Sequence, residues 1–416
     1  MIDVNLLLVT MKNTLLHYII IGATLSSIVL SCESLNDIYA PREPEENQLL
    51  DGPIEGLTTQ EQIQFLHGDI AFNDEVFTVE KGLGPVFVGN RCAACHAGDG
   101  KGHPFNGFIR FGQSDSLGNP YATFGDKRNQ LQNKAIPGYQ PQVLPEGAPF
   151  SLFIGPAVTG LGYLDAVSDA DILALADPDD LDGDGISGRP HYAYPPDYVQ
   201  LRPNSIPKDG KYIFRFGKKA STYDLLHQTA DAYNQDMGIV SIFQPNEPYD
   251  GLPNDPEVSK RTIGDVVFYL KTLKAPLPRN QDDPKVMAGK AIFNNIQCAA
   301  CHVPTLRTSY SPIEALSYKE FHPYTDLLLH DMGPGLDDGY TEGYALTSEY
   351  RTPPLWGLGL SADSQGGQVY LMHDGRARSI EEAILLHGGE AENSKNNYVN
   401  LSALEQEQLL AFLNSL

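Results

Sequence analysis

A mainly α fold is predicted from three observations: helical apolar patterns before one cysteine motif and at the chain end, glycine- and proline-rich stretches between them, and one pentapeptide that occurs twice. The pentapeptide is Cys92-Ala93-Ala94-Cys95-His96 and again Cys298-Ala299-Ala300-Cys301-His302. C-x-x-C-H is the attachment signature of a c-type haem. Two thiols three residues apart on one turn can each add to a haem vinyl group, and the adjacent histidine then sits under the iron as proximal ligand. The chain has 5 cysteines, of which the two motifs use four. None remains for a disulfide framework or a zinc site. Two covalently bound haems are expected.

The elements follow in chain order. Leu15 to Leu30 is a short apolar run after Lys12, too short for a comfortable membrane span and shaped like a signal peptide. Met11 is the expected start. The run ends Val29-Leu30-Ser31-Cys32, a small residue and then a cysteine, as at a bacterial lipoprotein processing site. Residues 1–32 are therefore expected to be a lipoprotein signal peptide with Cys32 lipidated; an ordinary cleaved signal is the alternative. Either exports the chain to the periplasm or cell envelope, where haem c is attached in bacteria. Residues 33–56 read as a flexible polar tether.

An N-terminal haem domain with an insertion is expected over 57–282, and a C-terminal one over 283–416. Thr58-Thr59-Gln60-Glu61 has the form of a capping box. Loop is expected from Cys92 to about residue 150, packed over the first haem. Within 160–290, a bridging insertion, helices are expected near 168–176 and 259–273. Ile263, Val266, Val267 and Leu270 mark a buried stripe on the second. Val286, Ala288, Ile292 and Phe293 form a helix running into Cys298, and Leu404, Leu409, Leu410, Leu413 and Leu416 form another at the chain end. A helix before C-x-x-C-H and one at the end are the pair that cross in a cytochrome c fold. The fold class is thus mainly α, with two cytochrome c-like haem domains, long loops and a bridging insertion.

The formal net charge is −24. A surface this acidic argues against nucleic acid and against docking on anionic lipid. It suits a basic redox partner, or serves only to keep the chain in solution.

Across roughly residues 80–416 the chain closely resembles the bacterial di-haem oxidoreductases, also called thiol oxidoreductases, within the wider group of di-haem cytochrome c peroxidases. The stretches that carry the resemblance are GPVFVGNRCAACHAGDGKG, GLGYLDAV, DPDDLDGDGISGR, FRFGKKA, DMGI, PYTDLLLHDMGPGL, EYRTPPLWGLGL and MHDGRARSIEEAILLHGGEA. The resemblance implies one electron-transfer haem and one that binds peroxide. In the peroxidases an axial methionine follows the His-x-Gly block. Here the block is His373-Asp374-Gly375 and the corresponding helix carries His387. Histidine at that position implies a lower potential than methionine does. A surface histidine at a helix end is the alternative for His387, and Met332 and Met372 are alternative ligands. His330 and His373 read as hydrogen-bonding loop residues.

The first haem has no convincing distal ligand in the sequence. His103 could reach its edge or a propionate. The first haem is therefore expected to be the open, substrate-binding one. Glu146, or Gln142, is the candidate acid–base group for peroxide cleavage, with a solvated loop residue as alternative. Asp180, Asp182 and Asp184 have the D-x-D-x-D-G spacing of a calcium loop, with His191 where an EF-hand has glutamate; a solvated acidic turn is the other reading. The resemblance adds interest, since related peroxidases hold calcium between their haem domains. Trp356 is expected to pack, or to lie between the haems. Arg351, Arg376 and Arg378 are candidates to pair with propionates.

The reading that follows is an exported di-haem enzyme that reduces hydrogen peroxide, or another small oxidant, with electrons from a redox protein. The lipid anchor would be its membrane contact, and no nucleic acid is expected. The alternatives are a non-enzymatic electron-transfer cytochrome with two six-coordinate haems, serving a respiratory or metal-uptake partner, and oxidation of a partner protein's side chains.

Overall fold

Two crossed helix pairs form the chain's two main cores. The computed structural model describes residues 50–112 and 130–416; the expected signal peptide, Cys32 and most of the tether lie outside them. The helices that matter for the site are α1 (Thr59–Asp69), α2 (Leu225–Asp231), α3 (Lys260–Thr272), α4 (Pro284–Asn295), α5 (Ile380–Leu386) and α6 (Ala403–Ser415). Their starts are local chemistry. Thr58 accepts from Glu61 N while the Glu61 carboxylate accepts from Thr58 N, and Ser402 and Glu405 repeat the exchange. Asp283 caps α4, with Pro284 in its first turn.

Helix α1 crosses α3, and α4 crosses α6. Each crossing has a glycine at its closest point. A Cβ on Gly68 would lie 2.1 Å from Asp265 O, and one on Gly289 would lie 2.0 Å from Gln408 O. Aromatic pairs fill the space beside each glycine: Phe65 against Tyr269 at 4.9 Å, and Phe293 against Phe412 at 5.4 Å. The first crossing belongs to a core with Phe72, Val266, Leu270 and Trp356. The second belongs to one with Val286, Leu409, Leu413 and Leu416. Helix α3, expected inside a bridging insertion, is thus the partner of the helix that precedes the first motif.

Short antiparallel strands connect these pairs. Strand β1 (Phe108–Phe111) lies between β2 (Gln130–Leu131) and β3 (Phe150–Phe153), and β4 (Leu329–Asp331) pairs with β5 (Glu349–Arg351) with His330 opposite Tyr350. Three further two-stranded ladders occur among the described residues. The expectation of a mainly α fold is corrected by this content: the chain is 34% helical with 13% strand. The reason lies in strand length. Pairs of two to four residues are too short to show an alternating pattern, so helical periodicity was the one signal legible in the sequence. The described residues belong to one compact unit.

Candidate functional site

The two pentapeptides fold alike. Cys92–Ala94 and Cys298–Ala300 each form a 3₁₀ turn, and the amide of His96 or His302 donates to the carbonyl of the first cysteine at 3.1 and 3.0 Å. The turn sets both thiols and the ring on one side of the chain. All four thiols are free. Burial, reinforced by Asp236, pushes Cys92 and Cys95 up to about 12. Burial, with Cys301 beside it, does the same to Cys298.

Both motifs open onto one cavity. Its walls include Cys92, Cys95 and His96 as well as Cys298, Cys301 and His302. His96 Nδ1 is 2.9 Å from Pro156 O, and His302 Nδ1 is 3.0 Å from Tyr324 O. A carbonyl only accepts, so each Nδ1 carries the proton and each Nε2 the lone pair. Burial holds both rings neutral, lowered to about 4. Gly155 permits the close packing at His96, since a Cβ there would meet His96 Cε1 at 2.9 Å.

His387 repeats the arrangement. It caps the C-terminus of α5, lines the same cavity, and sets Nδ1 2.7 Å from Ala383 O. It also lies close enough to His302 to bear on that ring's proton affinity. Among the described residues no other histidine on the cavity wall has its Nδ1 on a carbonyl. His330 is held by Asp326 at 2.7 Å and Glu390 at 2.6 Å. His373 sets Nε2 2.8 Å from Asp338 and stacks on Tyr350 at 4.4 Å. Met332 and Met372 line the cavity and pack with Phe108 and Phe153.

The other expected residues fall as follows. His103 is off the cavity; its Nδ1 accepts from Phe105 N and its ring meets Tyr370 edge-on at 4.5 Å. Glu146 is exposed in the loop before β3 and is not part of the wall. Gln142 is engaged by Gln132 N at 2.9 Å. The carboxylates on the wall are Asp231 and Asp236. Burial raises Asp236 to about 6 against the pull of Gln130 and Arg110. Trp356 lines the cavity and packs on Phe321 at 6.1 Å. Arg351 lines the cavity, whereas Arg376 binds Asp374 at 2.7 Å and Arg378 lies over Tyr370 at 4.1 Å.

The wall also carries cations with no ion-pair partner among the described residues. Lys218 has no partner for its ammonium among the described residues; burial first, then Lys101 and Arg351 beside it, lowers it to about 7. Burial lowers Lys101 to about 8, and its described partner is the Ser361 hydroxyl at 3.2 Å. Desolvated ammonium groups beside one another are unfavourable unless an anion joins them. A haem brings two propionates, so the donor set and the stranded cations both fit that group. Lys218 was not singled out in the sequence, although two consecutive lysines in the apolar run FRFGKKA were the signal.

In the acidic loop, the carboxylates of Asp177, Asp180 and Asp182 lie within 4.8 Å of one another. Asp184, expected with Asp180 and Asp182, is not one of the three; each of the four carboxylates accepts a loop amide, Asp184 from Ile186 N at 2.9 Å. His191 turns away, with Nδ1 2.8 Å from Lys219 O and Nε2 accepting from Tyr344 N at 2.9 Å. No described helix is long and apolar enough to cross a membrane.

Residues 140–416 match the family described as "Di-haem oxidoreductase, putative peroxidase". The chain belongs to the di-haem oxidoreductase family. The match takes in the second pentapeptide, His387 and the acidic loop, and leaves Cys92–His96 before it. A solved structure similar to this di-haem oxidoreductase is hydrazine synthase of Kuenenia stuttgartiensis, pressurised with 20 bar xenon. It is 15% identical, with a TM-score of 0.40, covering 91% of this chain and 94% of that one. No curated protein matches the sequence.

Proposed function

We propose that this di-haem oxidoreductase is an exported, peroxidase-like enzyme with an open substrate site at the N-terminal haem and an electron-transfer site at the C-terminal one. The observation that carries the reading is the count of carbonyl-anchored imidazoles on one cavity. Among the described residues three are present, and they would be the haem-holding groups: His96, His302 and His387. His302 and His387 would hold one haem, and His96 would hold the other. When bound, each haem would supply a redox-active iron, one for electron transfer and one for peroxide chemistry. Lys218, Lys101 and Arg351 would pair with the propionates. Asp236, with its proton affinity near neutrality, can accept or release a proton at the cavity wall.

In this reading the enzyme is exported and lipid-anchored through Cys32 at the cell envelope, which the export needed for haem c attachment supports. Its acidic surface suits a basic redox protein as donor. A calcium ion held by Asp177, Asp180 and Asp182 belongs to the same proposal. Calorimetric titration of metal-stripped protein is expected to show one calcium site that Asp180→Asn weakens at least tenfold; an equal affinity in the variant would remove the ion from the account.

The test of function is spectroscopic. Purified protein is expected to show one low-spin and one high-spin haem by electron paramagnetic resonance, with the high-spin signal titrating on addition of peroxide. His387→Ala should turn the low-spin haem high-spin. Two low-spin haems, neither of which binds cyanide or peroxide, would leave an electron carrier in place of an enzyme.

A further inference from the structure

His330 is fully enclosed, with 2% of its surface exposed. Strand β4 presents it toward the second pentapeptide, where its Nδ1 lies 3.6 Å from Cys301 Sγ. Carboxylates grip both ring nitrogens: Asp326 Oδ2 at Nε2, 2.7 Å away, and Glu390 Oε2 at Nδ1, 2.6 Å away. Glu390 is itself fixed. It accepts from Ser187 Oγ at 2.6 Å, Ser187 N at 3.0 Å and Asp331 N at 3.1 Å. The space is tight, since a Cβ on Gly188 would stand 3.3 Å from His330 Cε1.

Ionised carboxylates only accept, so a ring held between two of them must present N–H on both sides. It is then an imidazolium. Burial alone would strip that proton; the bonds to Asp326, Cys301 and Glu390 outweigh it and push His330 up to about 12. The same contacts draw Glu390 down to about 2 against its own burial. A buried positive charge therefore sits against the sulfur of the second motif, with two negative charges behind it. The cluster sums to one negative charge. No step of the reading above uses it, and a buried charge is costly to keep for packing alone.

We infer that His330, clamped by Asp326 and Glu390 behind Cys301, is a positioning residue that sets the reduction potential of the haem attached at Cys298 and Cys301. The inference rests on the reading that a haem is carried there. Reduction adds one negative charge to that haem, so a more negative surrounding disfavours it and a less negative one favours it. Charge and hydrogen bonds at the sulfur act through the thioether and through space, without touching the iron.

The geometry predicts opposite signs for neighbouring substitutions. His330→Gln leaves two negative charges and should lower the potential. Glu390→Gln leaves none in sum and should raise it. The double variant restores one negative charge and should return toward the wild type. Each single change is expected to alter the oxidised-to-reduced ratio at the wild-type midpoint about tenfold, which is about 59 mV for one electron. The measurement is an optical redox titration of the full chain at pH 8, with haem content checked by intact mass. Absence of a second haem from the wild-type mass would sink the underlying reading. With both haems present, unmoved potentials, or shifts of the same sign in both single variants, would overturn the role of His330. Should His330→Gln fail to fold, His330→Asn takes its place and must lower the potential likewise.

Discussion

Serine at both Cys298 and Cys301 is expected to leave a protein with one covalent haem in place of two, seen as the loss of one haem mass and half of the haem absorbance. A serine oxygen forms no stable bond of this kind with a vinyl group, whereas the two thiols stand on one turn with His302 directly after them. The paired change at Cys92 and Cys95 should also remove one haem, but with a different spectrum. Loss of the first haem should abolish the high-spin signal and any peroxide response. Loss of the second should abolish the low-spin signal of the His302–His387 pair. Stability should fall with it, because Cys298 packs with Phe293, Tyr324 and Phe412, and the apolar wall would lose its partner. If either pair of serines left both haems in place, attachment by these motifs would be refuted.

The second large effect is on folding. Gly289→Ala is expected to destabilise the protein by about 1–3 kcal/mol, the usual cost of forcing atoms into a packed core. In an open helix the same change would stabilise, by up to about 1 kcal/mol. Here the new Cβ would lie 2.0 Å from Gln408 O and 2.7 Å from Phe412 Cβ, so α4 and α6 must move apart. The backbone carbonyl has nowhere to swing without breaking a bond of α6. Gly264→Ala is the control. It lies within α3 with nothing within 4 Å of its Cβ position, so it should raise the melting temperature. Equal shifts of the same sign in the two variants would show that propensity, and not the crossing, governs both positions.

The resemblance noted in the sequence is upheld by the family match, and that match covers the second pentapeptide with its surroundings. Helix ends were legible because capping is local: Thr58 with Glu61, Ser402 with Glu405. The partner of α1 was not, because nothing in residues 259–273 distinguishes a helix inside an insertion from one that closes a lobe. Both have the same buried stripe; contact with Phe65 and Tyr269 decides between them. Asp184 illustrates the same limit in the acidic loop. Its spacing suits a calcium ligand, yet spacing did not show that Asp177 stands beside Asp180 and Asp182, with the three carboxylates within 4.8 Å of one another.

What the sequence alone determined is what spacing along the chain controls. Thiols at i and i+3 with histidine next in line must share a turn, and this chain forms that turn twice. What only the tertiary structure decided is what those turns face. One cavity receives both; His387 meets it with its Nδ1 already tied to Ala383 O; Lys218 reaches it without a partner among the described residues; and His330 comes between Asp326 and Glu390. Asp326 and His330 are four residues apart, but Glu390 arrives from 60 residues further on. Such contacts are made by folding short strands and loops together, and segments of two to four residues leave no period from which their partners could be read.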